Sequence, residues 1–537
     1  MKELVIGIDL GTTYSCAAVL NDAGSVEISP NQDSGDNTTP SVVYIQSDKN
    51  SNIVGAFAKD KIVTMDFVEK GFYRHKTDNK MAVVEESKRY LTDRELIYRI
   101  DDKDYNPTSI GGAILKKIKQ DVETAYDQEV SKAVITVPAN FNNQQRQETM
   151  NAARMAGLNV DYIINEPTAA ALAYTMHSSI DGIYAVYDFG GGTFDCSIVQ
   201  TKGEEVEILG SDGVKTLGGK DLDRCLYKLV ENKYQKETNK TLTSLQYSLN
   251  DAENDKKNLS IKNTTEIEVI IDGKIYIVTR EEFEASISTE IEKSLITFDN
   301  ALVDAGLEVD NIMDVVLVGG SSRIPKIQEA LEEKIGKKPK LWGNPDETVA
   351  KGAAIYAALK NKKSLNINQK ATLAGLEVKE ITNVYLGKLL VNADQEVINV
   401  NIIEKGMRIP CSKNIKSYMN AHLLKNMIQY GTTGTTMQEI TESYTATEDV
   451  SSVEVVWKKE TAYPRINSYE YENNGIDYID SFAEMSTTYS IDANQVFRVL
   501  IKHVMSGTVL VDEALSMKQG SLGGGKSVNN LNDFNID

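Results

Sequence analysis

The chain has 537 residues, far more than one domain of ~150 residues accommodates, so several domains and at least one large core are expected. Its 78 acidic and 58 basic residues leave a formal charge of −20, which repels polyanions and argues against nucleic acid as a partner. Hydrophobic residues at 41% and charged residues at 25% match ordinary globular usage and exclude wholesale disorder. The apolar runs are too short for a secretory signal core or a ~20-residue membrane span, so no membrane association and a cytoplasmic location are expected.

In chain order, residues 4–8 read as an apolar strand, 9–13 as a tight Gly/Thr turn and 17–20 as a second strand, a hairpin with polar chemistry at its tip. Helical spacing of apolar residues predicts a helix over 110–125, a buried strand over 133–137 and a second helix over 144–156. The hairpin then recurs, with a strand at 183–187, a turn at 188–193 and a strand at 194–199. Glu253, Lys256, Lys257 and Ser260 share one helix face, an arrangement that is ordinarily a solvated ladder of charges. A strand at 315–318 ends in Gly319-Gly320, a helix over 324–335 carries Pro325 in its first turn, and an Ala-rich helix covers 349–359. This alternation predicts an α/β fold made of two related lobes facing each other across a cleft. Residues 361–370 are polar, β-branched and aromatic residues dominate from about residue 380, and 521–537 are Gly/Asn-rich and expected to form a flexible tail.

The strongest chemical signal is Asp9-Leu10-Gly11-Thr12-Thr13 paired with Asp188-Phe189-Gly190-Gly191-Gly192-Thr193-Phe194-Asp195. Glycines let backbone N–H groups approach phosphate oxygens, threonine hydroxyls add donors, and an aspartate at each strand end suits a Mg²⁺ ion that keeps its waters. One such loop alone is as readily a plain hairpin turn, whereas two would clamp a polyphosphate from opposite sides. Gly319-Gly320-Ser321-Ser322-Arg323, between a strand and a helix, is a further place for a nucleotide to meet backbone. Gly520 to Ser527 fits the phosphate-loop pattern GxxxxGK[ST], but the short Asn-rich stretch after it offers no helix, so it reads as tail. The histidines His75, His177, His422 and His503 form no cluster, and Cys16, Cys196, Cys225 and Cys411 lack ligand or disulfide spacing, so metal hydrolysis, nucleophilic triads and a zinc site lack support.

Several ordered motifs together resemble the seventy-kilodalton heat-shock chaperones of the DnaK type. They are the run from Ile6 to Thr13, Thr39-Pro40-Ser41-Val42-Val43, Val134-Ile135-Thr136-Val137-Pro138-Ala139-Asn140-Phe141-Asn142, Asn165-Glu166-Pro167-Thr168-Ala169-Ala170-Ala171, the Asp188 loop, and the run from Asn344 through Asp346 to Ala354. The resemblance implies an actin-like, two-lobed ATPase domain with a duplicated ribonuclease-H-like fold over 1–362. It further implies an interdomain linker over 363–382, a divergent β-rich, sandwich-like substrate or partner domain over 383–520, and the tail over 521–537.

Carried over by motif, Asp9 and Asp188 would position hydrated Mg²⁺, while Gly11, Thr12, Thr13, Gly190, Gly191, Gly192 and Thr193 would hold the β- and γ-phosphates of ATP or ADP. Glu166 would orient the attacking water, and Asp195 and Thr193 would act near the reacting phosphate. Glu253, Lys256, Lys257, Ser260, Gly319, Gly320, Ser321, Arg323 and Asp346 match the adenosine side. The family's catalytic lysine aligns best with Lys70, ahead of Gly71, and its interdomain switch with Pro138 and Arg146. K⁺ is an admissible companion ion.

The implied function is a slow ATPase that couples ATP binding and hydrolysis to binding and release of unfolded or extended polypeptides, with a J-domain co-chaperone and a nucleotide exchange factor as partners. The alternative is a divergent ATPase switch that binds one dedicated protein. Residues 402–410 look like an early strand pair of the substrate domain, 499–511 like its last hairpin, 414–443 like an insertion, and 463–489 match little. No long helical pattern follows residue 512, so the family's helical lid is expected to be missing.

Overall fold

The computed structural model describes residues 4–47, 49, 51–75, 77–93, 95–176, 181–203, 205–261, 264–341, 343–382, 385–391, 397–404, 406–420, 425–431, 442–446, 453–457, 467–472, 482–503, 509–514 and 535–536. His177, His422, the phosphate-loop pattern at 520–527 and the rest of the expected tail up to residue 534 lie outside the described residues. The chain divides into two compact units, one of residues 1–140, 148–378 and 524–537, the other of residues 141–147 and 379–523.

Within the first unit two sheets repeat one plan. The first runs Asn159–Asn165, Val130–Val137, Leu4–Asp9, Tyr14–Leu20, Val26–Ser29. The second runs Lys340–Leu341, Asp314–Val318, Gly182–Phe189, Phe194–Lys202, Glu205–Val214. In both, the hairpin's first strand is parallel to one neighbour and antiparallel to the other: Leu4–Asp9 to Val130–Val137 and Tyr14–Leu20, Gly182–Phe189 to Asp314–Val318 and Phe194–Lys202. The central strand Asp314–Val318 is apolar after its first residue because both faces are covered; Val315, Val316, Leu317 and Val318 are fully buried.

Two Ala-rich helices join the lobes. Thr348–Lys360 lies on the first sheet, and Glu166–Thr175 packs against both Thr348–Lys360 and the second sheet. Their side chains are small because the backbones nearly touch. A Cβ on Gly352 would fall 1.7 Å from the Ala169 carbonyl oxygen, and one on Gly7 2.0 Å from the Ala354 nitrogen.

The expected elements are present with bounds shifted by a few residues. Pro107–Tyr126 and Asn143–Met155 are helices, and Pro325–Ile335 starts on its proline. Two inserted substructures were not expected. One is a mixed sheet containing Ser51–Val54, Val43–Gln46, Met81–Val84, Phe72–His75 and Met65–Glu69, and the other is the hairpin Glu266–Ile271 with Lys274–Thr279. Their strands run to only four to six residues, too short for a clear period against the surrounding polar sequence.

Part of the stretch 363–382, expected as a linker, is regular structure. Ile367–Thr372 is a helix with an Asn366 cap, and it folds back on the first hairpin's strand end. Gln369 donates to the Leu20 carbonyl at 2.8 Å and Thr372 to the Gly24 carbonyl at 3.0 Å. In the second unit, two four-stranded antiparallel sheets order as Val397–Ile403, Tyr385–Val391, Lys425–Gly431, Asn467–Glu472 and as Cys411–Asn420, Phe482–Ile491, Phe497–His503, Val509–Ala514. The expected last hairpin is present there as Phe497–His503 paired antiparallel with Val509–Ala514. Asn414 and the residues from Phe482 to Tyr489, read from sequence as inserted or unmatched, belong to the paired strands Cys411–Asn420 and Phe482–Ile491.

Candidate active site

Each lobe sends its hairpin tip toward the other. Gly11, Thr12 and Thr13 lie between Leu4–Asp9 and Tyr14–Leu20, and Gly190 to Thr193 lie between Gly182–Phe189 and Phe194–Lys202. The tips touch: a Cβ on Gly191 would fall 2.0 Å from Thr13 Oγ1, and one on Gly192 2.4 Å from Thr12 Oγ1. Beside them opens a cavity of about 920 Å³. Its lining includes Asp9, Gly11, Thr12, Thr13, Glu166, Asp188, Gly190, Gly191, Gly192, Thr193, Glu253, Lys256, Lys257, Ser260, Gly319, Gly320, Ser321, Arg323 and Asp346. Gly319 has φ +77°, and a Cβ there would meet the Phe189 carbonyl oxygen at 2.5 Å, so only glycine lets the end of Asp314–Val318 pass this close to the Asp188 loop.

At the closed end four carboxylates gather. Asp9 ends its strand and accepts from Thr136 Oγ1 at 2.8 Å. Asp188 and Asp195 face each other across the second hairpin, and Glu166 opens helix Glu166–Thr175. Burial, then the charge of Glu166, pushes the carboxyls of Asp9 and Asp195 up to about 7, and raises Asp188 well above the carboxylate range. Lys88 Nζ opposes this from 2.5 Å off Glu166 Oε1, and its own ammonium is held charged by these acids against the cost of burial. Asp195 does not line the cavity; it is 1% exposed, just behind the surface, with the backbone N–H groups of Asn140 and Ala139 pulling its pKa down.

One lysine against several buried acids leaves the carboxyls of Asp9 and Asp188 holding protons that a bound cation would displace. Two such buried acids side by side, short of positive partners, fit a divalent cation. Among the described residues no three His, Cys, Asp or Glu side chains converge as direct ligands, so the set suits an ion that keeps its own water shell.

The other end of the cavity is a network of paired charges between the lobes. Glu253 of helix Leu249–Leu259 meets Lys59 at 2.8 Å and Lys257 at 2.6 Å, and accepts from Tyr14 Oη at 3.3 Å. Against the upward push of burial, Lys220, Lys59 and Lys257 hold its carboxyl well below the usual range. Lys256 pairs with Asp223 at 2.6 Å and donates to the Gly219 carbonyl at 3.1 Å, while Ser260 Oγ donates back to the Lys256 carbonyl at 2.8 Å. Arg323 reaches Asn344 at 2.7 Å and Asp346 at 3.0 Å, and Ser321 Oγ donates to the Gly190 carbonyl at 3.1 Å. The face of Glu253, Lys256, Lys257 and Ser260 is therefore cavity wall, not a solvated ladder.

Lys70 is the misplaced residue. It sits at φ +44° in the turn between Met65–Glu69 and Phe72–His75, 42% exposed, with Nζ on Asp93 at 2.6 Å, and it does not line the cavity. The lining lysine that pairs with Glu166 at the acidic end is Lys88, on the short 3₁₀ turn Ser87–Tyr90. Its signal was the charge run Glu85-Glu86-Ser87-Lys88-Arg89 directly after the apolar strand Met81–Val84. Such a run ordinarily faces water, and only the fold shows that Glu85, Glu86 and Lys88 are buried. Lys220, Asp223, Tyr14 and Glu347 are further lining residues that sequence reasoning missed.

A family model described as Hsp70 protein matches residues 5–371. That stretch takes in both mirrored hairpins, the acidic end of the cavity and its charged rim, and it exceeds half of the chain. The chain belongs to the Hsp70 family.

Proposed function

We infer that the first unit binds Mg·ATP in the cavity between its lobes and hydrolyses it slowly, and that nucleotide state governs binding and release of extended polypeptide by the second unit. The observation that carries the reading is the contact of the two mirrored tips, Thr12–Gly192 and Thr13–Gly191, beside a cavity whose closed end holds buried acids with one lysine among them.

Phosphoryl transfer to water needs positioning and charge neutralisation more than covalent chemistry. The glycine-rich tips and the Thr12, Thr13 and Thr193 hydroxyls are suited to grip phosphate oxygens from both sides. Lys88 brings a positive charge beside them, and Glu166, oriented by its pair with Lys88, can accept a hydrogen bond from the attacking water. Asp9 and Asp188 would hold hydrated Mg²⁺, which supplies charge neutralisation at the phosphate oxygens. Lys256, Lys257, Ser260, Arg323 and Asp346 stand where the nucleoside end would lie. Family members are ATPases, which supports the turnover; the peptide-binding half of the reading rests on family membership.

Phosphate release from Mg·ATP without any acceptor tests the enzymatic half. Release that is lost in Asp188→Asn supports it, and neither release nor binding overturns it. Suppressed aggregation of several unrelated unfolded proteins supports a general chaperone. Failure on all of them, with tight capture of one cellular protein, favours the dedicated-partner alternative.

A further inference from the structure

Next to Lys88, the side chain of Arg89 takes a different course. Lys88 turns into the acidic end of the cavity, whereas Arg89, its side chain 7% exposed, reaches the phosphate loop of the other lobe. Arg89 Nε and Nη2 both donate to the Gly192 carbonyl oxygen, at 3.1 and 2.9 Å. Its guanidinium is held in turn by Glu86 at 3.2 Å and by Asp221, in the first turn of helix Gly219–Thr238. A fork of donors on a single carbonyl, braced by two carboxylates, fixes that peptide's orientation.

The fixed peptide joins Gly192 to Thr193, and it is not among the cis bonds. In a planar trans unit the carbonyl and the following N–H point in opposite directions. Holding the Gly192 oxygen toward Arg89 therefore turns the Thr193 N–H the other way. Gly192 and Thr193 line the cavity and Arg89 does not, so the side away from Arg89 is the side on which a phosphate would lie.

We propose that Arg89 is a positioning residue for phosphoryl transfer: from one lobe it locks the Gly192–Thr193 peptide of the other, aiming the Thr193 amide at the triphosphate. It also ties the closed position of that loop to the placement of the adjacent Lys88. This rests on the ATPase reading above. Arg89 does not line the cavity, so the defect it causes belongs to the rate of the chemical step and not to ground-state affinity.

Arg224 supplies an internal control. It pairs with the same acids, Glu86 at 3.2 Å and Asp221 at 2.9 Å, and makes no contact with Gly192. The experiment compares wild type, Arg89→Ala, Arg89→Lys and Arg224→Ala in steady-state phosphate release, with Mg·ATP affinity by calorimetry and folding by thermal melting. The expected result is a kcat reduced about tenfold or more in Arg89→Ala, with KM and Kd within about threefold, and partial recovery on adding guanidinium. Arg89→Lys, which keeps the charge beside Glu86 and Asp221 but cannot fork onto the carbonyl, should stay folded and still lose turnover, while Arg224→Ala stays within about twofold of wild type. The proposal is overturned if Arg89→Lys turns over normally, or if Arg89→Ala and Arg224→Ala fall equally. A wild type that hydrolyses ATP while these variants behave alike sinks the role of Arg89 alone. A wild type that binds no Mg·ATP sinks the ATPase reading and this role with it.

Discussion

Lys88 Nζ and Glu166 Oε1 lie 2.5 Å apart, both side chains less than a tenth exposed, one from a 3₁₀ turn of the first lobe and the other from the first residue of a helix bridging both lobes. This pair is the positive and negative centre on which the acidic end of the cavity is arranged. Lys88→Met should lower phosphate release by about a hundredfold or more while nucleotide still binds, because the lost charge matters most where charge shifts during transfer. Lys70→Ala should leave turnover within about twofold, as Lys70 faces solvent. Parallel phosphate-release assays on the two variants check this, and the reverse outcome would restore Lys70.

The stability of the ligand-free protein should carry a pH signature from Asp195. Its carboxyl is pushed from the ordinary 3.8 up to about 7, so the folded chain binds this proton more tightly than the unfolded chain does. Stability from this group therefore falls as pH rises from about 4 to about 7 and is flat above. Asp195→Asn removes the titration. It should be neutral to mildly destabilising near pH 4.5 and stabilising by roughly 2 kcal/mol at pH 8, measured by urea unfolding at both values. An Asn effect that does not change between those pH values would contradict the raised pKa.

The helix pair at the lobe junction sets a steric limit. Gly352→Val has no room for its side chain against the Ala169 carbonyl, and the expected cost is roughly 3 kcal/mol or more. Val at exposed Gly343, which unlike helical Gly352 adopts positive φ but has open space around it, should cost less, since only the backbone conformation is strained. Denaturant midpoints at equal m-value decide between the two.

Opening of the cavity should depend on the charged rim. Lys59 bridges to Glu253 across the lobes without lining the cavity, so Lys59→Ala removes a closure contact and leaves the nucleotide pocket chemically intact. Dissociation of a fluorescent ATP analogue, followed by stopped flow, should speed up about tenfold, with a smaller salt dependence than in wild type. An unchanged rate would mean that other contacts hold the lobes together.

The sequence carried the hairpin tips well because their chemistry is local: glycine, threonine and aspartate at fixed spacing between apolar strands. The face of Glu253, Lys256, Lys257 and Ser260 was readable as a helix face, but whether it met water or a cleft depended on helix Gly219–Thr238 and on Lys59, both distant in sequence. Lys88 and Arg89 were missed for the same reason. Their burial comes from Glu166, Gly192 and Asp221, three segments that only tertiary folding brings together. Lys70, in a Lys-Gly turn, had the right neighbours in sequence and the wrong ones in space.

The most direct examination of the central claim is hydrogen–deuterium exchange with and without Mg·ATP, read at residues 9–13 and 188–193 together. Both tips should gain protection on one binding isotherm, and both should lose that gain in Asp188→Asn. Protection of a single tip, or of neither while the nucleotide is demonstrably bound, would contradict a triphosphate held between mirrored hairpins.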